Sequence, residues 1–144
     1  MFNNVLVVCV GNICRSPLGQ FMLQQRLPGK TITSAGLAAM VGHDVNHMTR
    51  TVAEACGLLL PTHAAVQVTS ELCRAADLIL VMERGHREAL SQMAPQVRGK
   101  TFLFGEPQNG LEIEDPYGRS REIFELVHQR IETAADGWAK KLGA

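Results

Sequence analysis

The sequence predicts an α/β fold, a three-layer sandwich in which helices flank both faces of a four-stranded parallel sheet. Short apolar runs alternate with helical patterns along the chain. Two of these runs are almost wholly apolar, as expected for parallel strands covered on both faces. The C-terminal segment carries a long apolar stripe at helical spacing, which suits a helix packed on such a sheet. The 144 residues fit a single domain, 1–144.

Four segments predict the strands of this sheet. Residues 5–10 and 78–82 are the apolar runs, and residues 31–35 form a shorter segment that ends at Gly36. Residues 101–104 complete the set, although no strong turn signal bounds them.

The helices lie between these strands. Ser16 is the candidate N-cap of the first helix and Pro17 suits its first position, where a missing N–H costs nothing. Further helices are predicted over residues 46–56, 70–76 and 84–93. The last helix has the longest apolar face, formed by Ile123, Phe124, Val127, Ile131, Ala134, Ala135, Trp138 and Leu142.

Composition excludes several classes of function. Fourteen basic and fourteen acidic residues give zero net charge, which argues against a nucleic-acid partner. No apolar run approaches the roughly 20 residues needed to cross a bilayer, and no leader pattern is visible. We therefore expect a cytoplasmic protein without membrane insertion. The cysteines at 9, 14, 56 and 73 lack CxxC spacing and are expected to be free thiols.

The stretch VCVGNICRSP, residues 8–17, joins the first strand to the first helix. In open α/β sheets ligands bind beyond the carboxyl ends of the strands. Loop amides and the positive end of a helix dipole form an oxyanion site there, and phosphate is the natural guest. An isolated cysteine is more often a buried core residue. The combination Cys-x5-Arg-Ser at a strand end instead favours a functional thiol.

Each polar residue of this stretch has a predicted role. Cys9 faces N–H donors and a guanidinium, surroundings that favour a nucleophilic thiolate. Arg15 offers bidentate donors to two phosphoryl oxygens. Gly11 and Asn12 are best able to adopt the positive φ that wraps amides around one centre. Ser16 can donate a hydrogen bond to the thiolate and favour its departure.

A phosphoryl transfer of this kind needs a proton donor for the leaving group. Asp115 is the candidate general acid, because it lies in a loop before the last helix and Pro116 restricts its backbone. On spacing alone, an Asp-Pro dipeptide is more often a turn.

VCVGNICRSP near the N-terminus and Asp-Pro-Tyr at 115–117 resemble the low-molecular-weight protein tyrosine phosphatases, over essentially the whole chain. The resemblance implies that family's fold and a phosphocysteine mechanism carried by Cys9, Arg15 and Asp115. It also implies that neither a metal nor an organic cofactor is used. A reversible disulfide between Cys9 and Cys14 is a further feature that the resemblance suggests.

The resemblance also assigns binding and supporting residues. Leu37 and the aliphatic residues after it correspond to a variable loop beside the site, so Tyr117 is expected to be the main aromatic wall. Substrate binding is expected from Val10, Gly11, Asn12, Ile13, Cys14, Ser16, Leu37 and Tyr117. The loop is expected to be supported by Asn12, Ser16, Ser34 and His63.

The aliphatic variable loop resembles bacterial members that act on tyrosine kinases of capsule and exopolysaccharide export. The implied partner is a phosphotyrosine protein, specifically a bacterial tyrosine kinase, and the implied state is a monomer or weak oligomer. One departure is visible. The family often has His-x-Ala-Arg-Gln, whereas Val66 replaces the arginine in the segment that begins at His63.

Three alternative functions remain open at this point. An arsenate reductase shares the fold but needs two further relay cysteines. A protein arginine phosphatase carries threonine where Ile13 stands. A catalytically silent phosphotyrosine-binding module is the third. His43 and His47 lack a third metal ligand, and a metal there is not expected. The residues Arg84, His86, Arg87 and Glu88 are interpreted as a solvated helix face.

Overall fold

The computed structural model describes residues 2–143. The strands form one parallel sheet in the order β2-β1-β3-β4. They are β1 (Asn4–Cys9), β2 (Thr31–Gly36), β3 (Leu78–Val81) and β4 (Thr101–Leu103). This architecture confirms the predicted α/β class and its four parallel strands.

Every predicted helix is present, with ends that differ by at most a few residues. The helices are α1 (Arg15–Arg26), α2 (His47–Ala55), α3 (Ser70–Ala75), α4 (Arg84–Met93) and α5 (Arg121–Leu142). Short 3-10 helices at Pro95–Lys100 and Glu106–Gln108 were not predicted. None of the helices in the described part of the chain has the length and apolarity to cross a bilayer.

Side-chain alternation along β1 separates the core into two layers. Val5 and Val7 pack in a cluster that includes residues of α1 and α5. Leu6 and Val8 point to the opposite face and pack in a cluster that includes residues of α3 and α4. Because successive side chains of a strand face opposite sides, a continuous apolar strand fills both layers. The predicted three-layer sandwich follows from this arrangement.

The predicted start of α1 is wrong by two positions. The helix begins at Arg15 with Cys14 in the cap position, and Cys14 makes no side-chain capping bond. The Ser16 hydroxyl is unavailable as a cap because it hydrogen-bonds to Asn12 and Cys9 instead. Pro17 still lies within the first turn, where the absent N–H has no intrahelical partner to lose.

Gly19 provides a test of how closely α1 packs on the sheet. A Cβ at this position would lie 2.9 Å from Phe104 Cε2 and 3.4 Å from Val7 Cγ1. We expect Gly19→Ala to lower the free energy of unfolding in urea by about 1–3 kcal/mol, the usual cost of overpacking a rigid core.

The matched control is Gly85→Ala in α4, where nothing lies within 4 Å of the added Cβ. That variant should be neutral or more stable by up to about 1 kcal/mol, because alanine favours the helix. Equal stability of the two variants would show that α1 can move away from the sheet freely.

Candidate active site

The loop between β1 and α1, residues 9–16, is called the cradle loop. Asn12 has a left-handed backbone with φ of 58°, whereas Gly11 is not among the described residues with positive φ. Asparagine tolerates this conformation better than most side chains. Asn12 is therefore the residue of the cradle loop with a positive φ, and the prediction for Gly11 is wrong.

Hydrogen bonds surround the fully buried side chain of Asn12. Its Nδ2 donates to Ser16 Oγ at 2.7 Å and to Ser34 Oγ at 3.0 Å. Its Oδ1 accepts from the Val66 amide at 2.9 Å. The Asn12 carbonyl oxygen lies 2.7 Å from His63 Nε2. The structure thus brings together the four residues expected to support the loop.

Two further contacts of this network were not predicted. Ser34 Oγ donates to Gln20 Oε1 at 2.6 Å, so α1 contributes a second residue to the network. Gln20 lies one helical turn after Ser16, a spacing that could have indicated it. At position 66 the donor is the main-chain amide, and the Val66 side chain is 45% exposed. The departure from the family's arginine therefore leaves this hydrogen bond intact.

Gly36 permits the close approach of the cradle loop to the end of β2. A Cβ at Gly36 would lie 2.4 Å from the Val10 carbonyl oxygen and 3.1 Å from the Asn12 amide nitrogen. Because those are main-chain atoms of the loop, a larger residue would displace the loop itself. The absence of a side chain at Gly36 is thus a condition for the shape of the site.

The Cys9 thiol lies at the end of β1, at the border between the core and the site. Its Sγ lies 2.9 Å from Ser16 Oγ. The residue is 2% exposed, yet it lines a surface cavity of about 180 Å³. A buried sulfur at the floor of a cavity is accessible only to a group small enough to enter, which a phosphoryl group is.

The cavity walls are mostly apolar. Ala38 and Met40, from the expected variable loop, line the cavity. Leu37 does not line it and instead packs against the core cluster that contains Leu6 and Val8. Tyr117 lines the cavity and is 54% exposed, so its ring forms part of the rim. The full lining comprises Cys9, Val10, Gly11, Ile13, Cys14, Arg15, Ala38, Met40, Asp115 and Tyr117.

The Arg15 side chain is 1% exposed, and hydrogen bonds hold its guanidinium through Nη1. Its Nη1 donates to Glu83 Oε2 at 2.6 Å and to the Ile113 carbonyl oxygen at 2.8 Å. Its Nη2 lies 3.7 Å from Asp115 Oδ2. Its Nε is buried and has no partner within residues 2–143. The edge formed by Nε and Nη2 is therefore the one left to bind two oxygens of an anion.

Glu83 and His86 were missed as contributors to the site. Glu83 precedes α4, and its amide donates to Nδ1 of His86 at 3.3 Å. Burial lowers the pKa of His86, and the Arg15 guanidinium lowers it further, so the ring is a neutral acceptor. The interpretation of His86 as part of a solvated helix face is wrong, because its side chain folds back under the helix start.

Asp115 lies on the loop before α5 and lines the same cavity as Cys9. Its Oδ1 accepts from the Tyr117 amide at 3.0 Å, which fixes the turn that follows. Ile113, two residues earlier, donates its amide to the Met82 carbonyl oxygen at 2.9 Å. The expected general acid and the expected aromatic wall therefore belong to one turn, and both line the cavity.

The remaining cysteines do not form a relay around Cys9. Burial raises the pKa of Cys14 to about 12, so it is a protonated thiol at neutral pH. Cys56 is exposed after α2, whereas Cys73 is buried in the core under the opposite face of the sheet. This placement gives no support to the arsenate reductase alternative. His43 and His47 belong to no group of three potential metal ligands among the described residues.

A buried thiol at the end of β1, a guanidinium anchored through Nη1 and a carboxylate from the loop before α5 line one cavity, and this combination defines a cysteine-dependent phosphatase. The comparisons with known proteins agree. The chain belongs to the low molecular weight phosphotyrosine protein phosphatase family, which matches residues 4–144.

Similar proteins cover almost the whole chain. The low molecular weight protein-tyrosine-phosphatase Wzb of Escherichia coli K12 is 49% identical over 144 residues, 100% of this chain and 98% of Wzb. The solved structure of Wzb from Escherichia coli K30 with sulphate has a TM-score of 0.97 at 49% identity, covering 99% of this chain and 100% of that one.

A more distant likeness bears on specificity. The YwlE arginine phosphatase from Geobacillus stearothermophilus has a TM-score of 0.89 at 31% identity, and the match covers 96% of this chain and 92% of YwlE. The fold alone therefore does not distinguish phosphotyrosine from phosphoarginine.

The contact between Glu83 and Arg15 can be tested directly. We expect Glu83→Ala to reduce kcat/KM for aryl phosphates about 10- to 100-fold, because the guanidinium loses its charged anchor and a displacement of about 1 Å is costly in catalysis. Glu88→Ala is the control, since Glu88 lies on α4 and pairs at 2.8 Å with exposed Arg98 in the 3-10 helix Pro95–Lys100. Full activity of Glu83→Ala would show that the Ile113 carbonyl suffices.

Proposed function

We propose that Cys9, Arg15 and Asp115 hydrolyse phosphotyrosine through a phosphocysteine intermediate. The observation that supports this proposal is that the thiol, the free guanidinium edge and the carboxylate line one cavity. These three side chains can suffice, because positioning and electrostatic stabilisation supply most of the catalysis in phosphoryl transfer.

In the first step the Cys9 thiolate attacks phosphorus in line with the bond to the tyrosine oxygen. The sulfur–phosphorus bond forms as the phosphorus–oxygen bond breaks, and Asp115 gives its proton to the departing phenolate. Nε and Nη2 of Arg15 and the amides of the cradle loop bind the equatorial oxygens. Their donors stabilise the transition state because the charge on those oxygens is held in a desolvated site.

In the second step water attacks the phosphorus of the intermediate. Asp115, now a carboxylate, accepts a proton from that water, and the sulfur–phosphorus bond breaks to release inorganic phosphate. The Ser16 hydroxyl, 2.9 Å from Cys9 Sγ, donates a hydrogen bond to the departing thiolate. Asp115 therefore serves both half-reactions, as the acid in the first and as the base in the second.

The cavity walls support tyrosine as the substrate residue. Ile13, Met40 and Tyr117 offer apolar contacts to the two faces of a ring. A phosphoarginine side chain carries a guanidinium, whose N–H donors need acceptors that these side chains do not have. The arginine phosphatases that resemble this chain carry threonine at the position of Ile13, which is aliphatic here.

The physiological substrate proposed is a bacterial tyrosine kinase of capsule or exopolysaccharide export. It is supported by the family's phosphotyrosine-protein activity and by the resemblance of the aliphatic loop around Ala38 and Met40 to such members. We place the reaction in the cytoplasm, because a nucleophilic thiol must stay reduced. Residues 1–144 would act as one catalytic domain, as a monomer or weak oligomer.

The catalytic roles can be tested with two isosteric variants. Cys9→Ser should abolish turnover of aryl phosphates and retain bound phosphotyrosine peptide. Asp115→Asn should lower kcat/KM for phosphotyrosine peptides by about 10²- to 10⁴-fold, the usual contribution of a general acid. Steady-state kinetics and calorimetric titration with the peptide measure both effects. Wild-type protein that binds the peptide but hydrolyses no aryl phosphate would instead be a binding module.

Specificity can be tested with matched peptides. We expect wild-type kcat/KM to be at least about 100-fold higher for a phosphotyrosine peptide than for a phosphoarginine peptide, because apolar walls leave guanidinium donors unsatisfied. Ile13→Thr should narrow this ratio, and Val52→Thr, a buried change outside the cavity lining, should not. A wild-type preference for phosphoarginine would assign the chain to the arginine phosphatases.

A further inference from the structure

The segment that carries Asp115, residues 112–119, is called the acid loop. Its first half is firmly anchored. Ile113 is fully buried, donates its amide to Met82 and accepts from Arg15 through its carbonyl oxygen. In its second half Pro116 is buried, whereas residues 117–119 are exposed and include Gly118, which has a positive φ of 75°. Asp115 itself is exposed and lies between the buried residues Ile113 and Pro116.

The Glu114 side chain supplies a hydrogen bond from the acid loop to α5. The Glu114 carboxylate accepts from Arg119 Nη1 at 2.6 Å through Oε2 and from Arg130 Nη1 at 3.2 Å through Oε1. Arg119 ends the turn after the acid, and Arg130 lies on α5. The Glu114 carboxylate therefore joins the two ends of the turn 114–119 and links the turn to α5.

Without Glu114, the turn would be restrained by two hydrogen bonds within it, by the 3.7 Å contact of Asp115 with Arg15 and by the burial of Pro116 beside α5. Asp115 Oδ1 accepts from the Tyr117 amide, and the Pro116 carbonyl oxygen accepts from the Arg119 amide at 2.9 Å. Both bonds lie within the turn, so they preserve its shape but do not join it to α5. The position of the Asp115 carboxyl relative to Cys9 would then depend on Ile113, on the packing of Pro116 and on the contact with Arg15, without the hydrogen bond to α5 that Glu114 supplies.

We propose that Glu114 is a positioning residue for proton transfer, holding Asp115 within reach of the leaving-group oxygen. This inference rests on the general-acid role proposed above for Asp115. Glu114 has a second effect, because it neutralises Arg119, four residues beyond the acid. An unpaired Arg119 guanidinium would attract the Asp115 carboxylate away from Arg15 and the cavity.

The exposure of these groups indicates which property should change. The side chains of Glu114, Arg119 and Arg130 are 36%, 49% and 31% exposed. Ion pairs at such exposure contribute little to global stability. Catalysis is far more sensitive to position, since a general acid must lie within about 3.2 Å of the oxygen it protonates. Loss of Glu114 should therefore weaken proton transfer and leave the fold intact.

The experiment compares two leaving groups that place nearly the same ring in the cavity. Phenyl phosphate releases a strongly basic phenolate, which needs a proton, whereas p-nitrophenyl phosphate releases a stable anion, which does not. We expect Glu114→Gln to lower kcat/KM about tenfold or more for phenyl phosphate and less than about twofold for p-nitrophenyl phosphate. The parameter kcat/KM is the appropriate readout because it includes leaving-group departure whichever step limits kcat.

Two further variants separate positioning from general loosening. Arg130→Gln should reproduce the selective loss, and adding it to Glu114→Gln should cause little further loss, because both remove one contact. Glu125→Gln is the charge-matched control, since it breaks an exposed pair with Arg121 at 3.1 Å on α5. That control should leave both substrates unaffected, and urea denaturation should show similar stability for all of these proteins.

The outcomes distinguish this inference from the function on which it rests. Equal loss for both substrates in Glu114→Gln, or no loss for either, overturns the positioning role while Asp115→Asn still identifies the acid. A wild-type protein inactive on both aryl phosphates overturns the proposed function itself. The double variant Asp115→Asn/Glu114→Gln is compared with Asp115→Asn alone. If Glu114→Gln causes a selective loss for phenyl phosphate in the wild-type background but no further loss in the Asp115→Asn background, Glu114 acts through Asp115.

Discussion

The site depends on one buried asparagine in a backbone conformation that few residues adopt. Asn12 lies in the turn between β1 and α1. Its side-chain amide hydrogen-bonds to the hydroxyls of Ser16 and Ser34 and to the main-chain amide of Val66. A left-handed residue with an unsatisfied buried side chain would be costly on both counts. Because each polar atom of the Asn12 side chain has a partner, the left-handed turn is held in place.

Arg15 shows how a buried charge can be both anchored and available. Glu83 and the Ile113 carbonyl bind Nη1 and fix the plane of the guanidinium. This leaves Nε and Nη2 as a preorganised pair of donors. Preorganisation matters because donors that are already oriented need no rearrangement as charge develops in the transition state. The anchor also comes from a different strand end than the nucleophile, so the sheet itself sets their separation.

Sequence patterns were sufficient for the fold and for the family, and both predictions are confirmed. The residues around Cys9 could be predicted from the sequence because most of them lie within one short stretch, residues 8–17. Glu83 could not be predicted, since it is 68 residues from Arg15 and meets it only because β3 lies beside β1. Ser16 was misassigned because capping and thiolate stabilisation require the same hydroxyl. The individual catalytic roles stay predictions until the variants are measured.

The contact at position 66 has a consequence for how this family can diversify. Since Val66 supports Asn12 through its main chain, nearly any residue could occupy that position without altering the loop. Its side chain faces solvent. Mutational drift there can therefore reshape the outer surface, and with it the choice of protein partner, while the reaction centre stays unchanged.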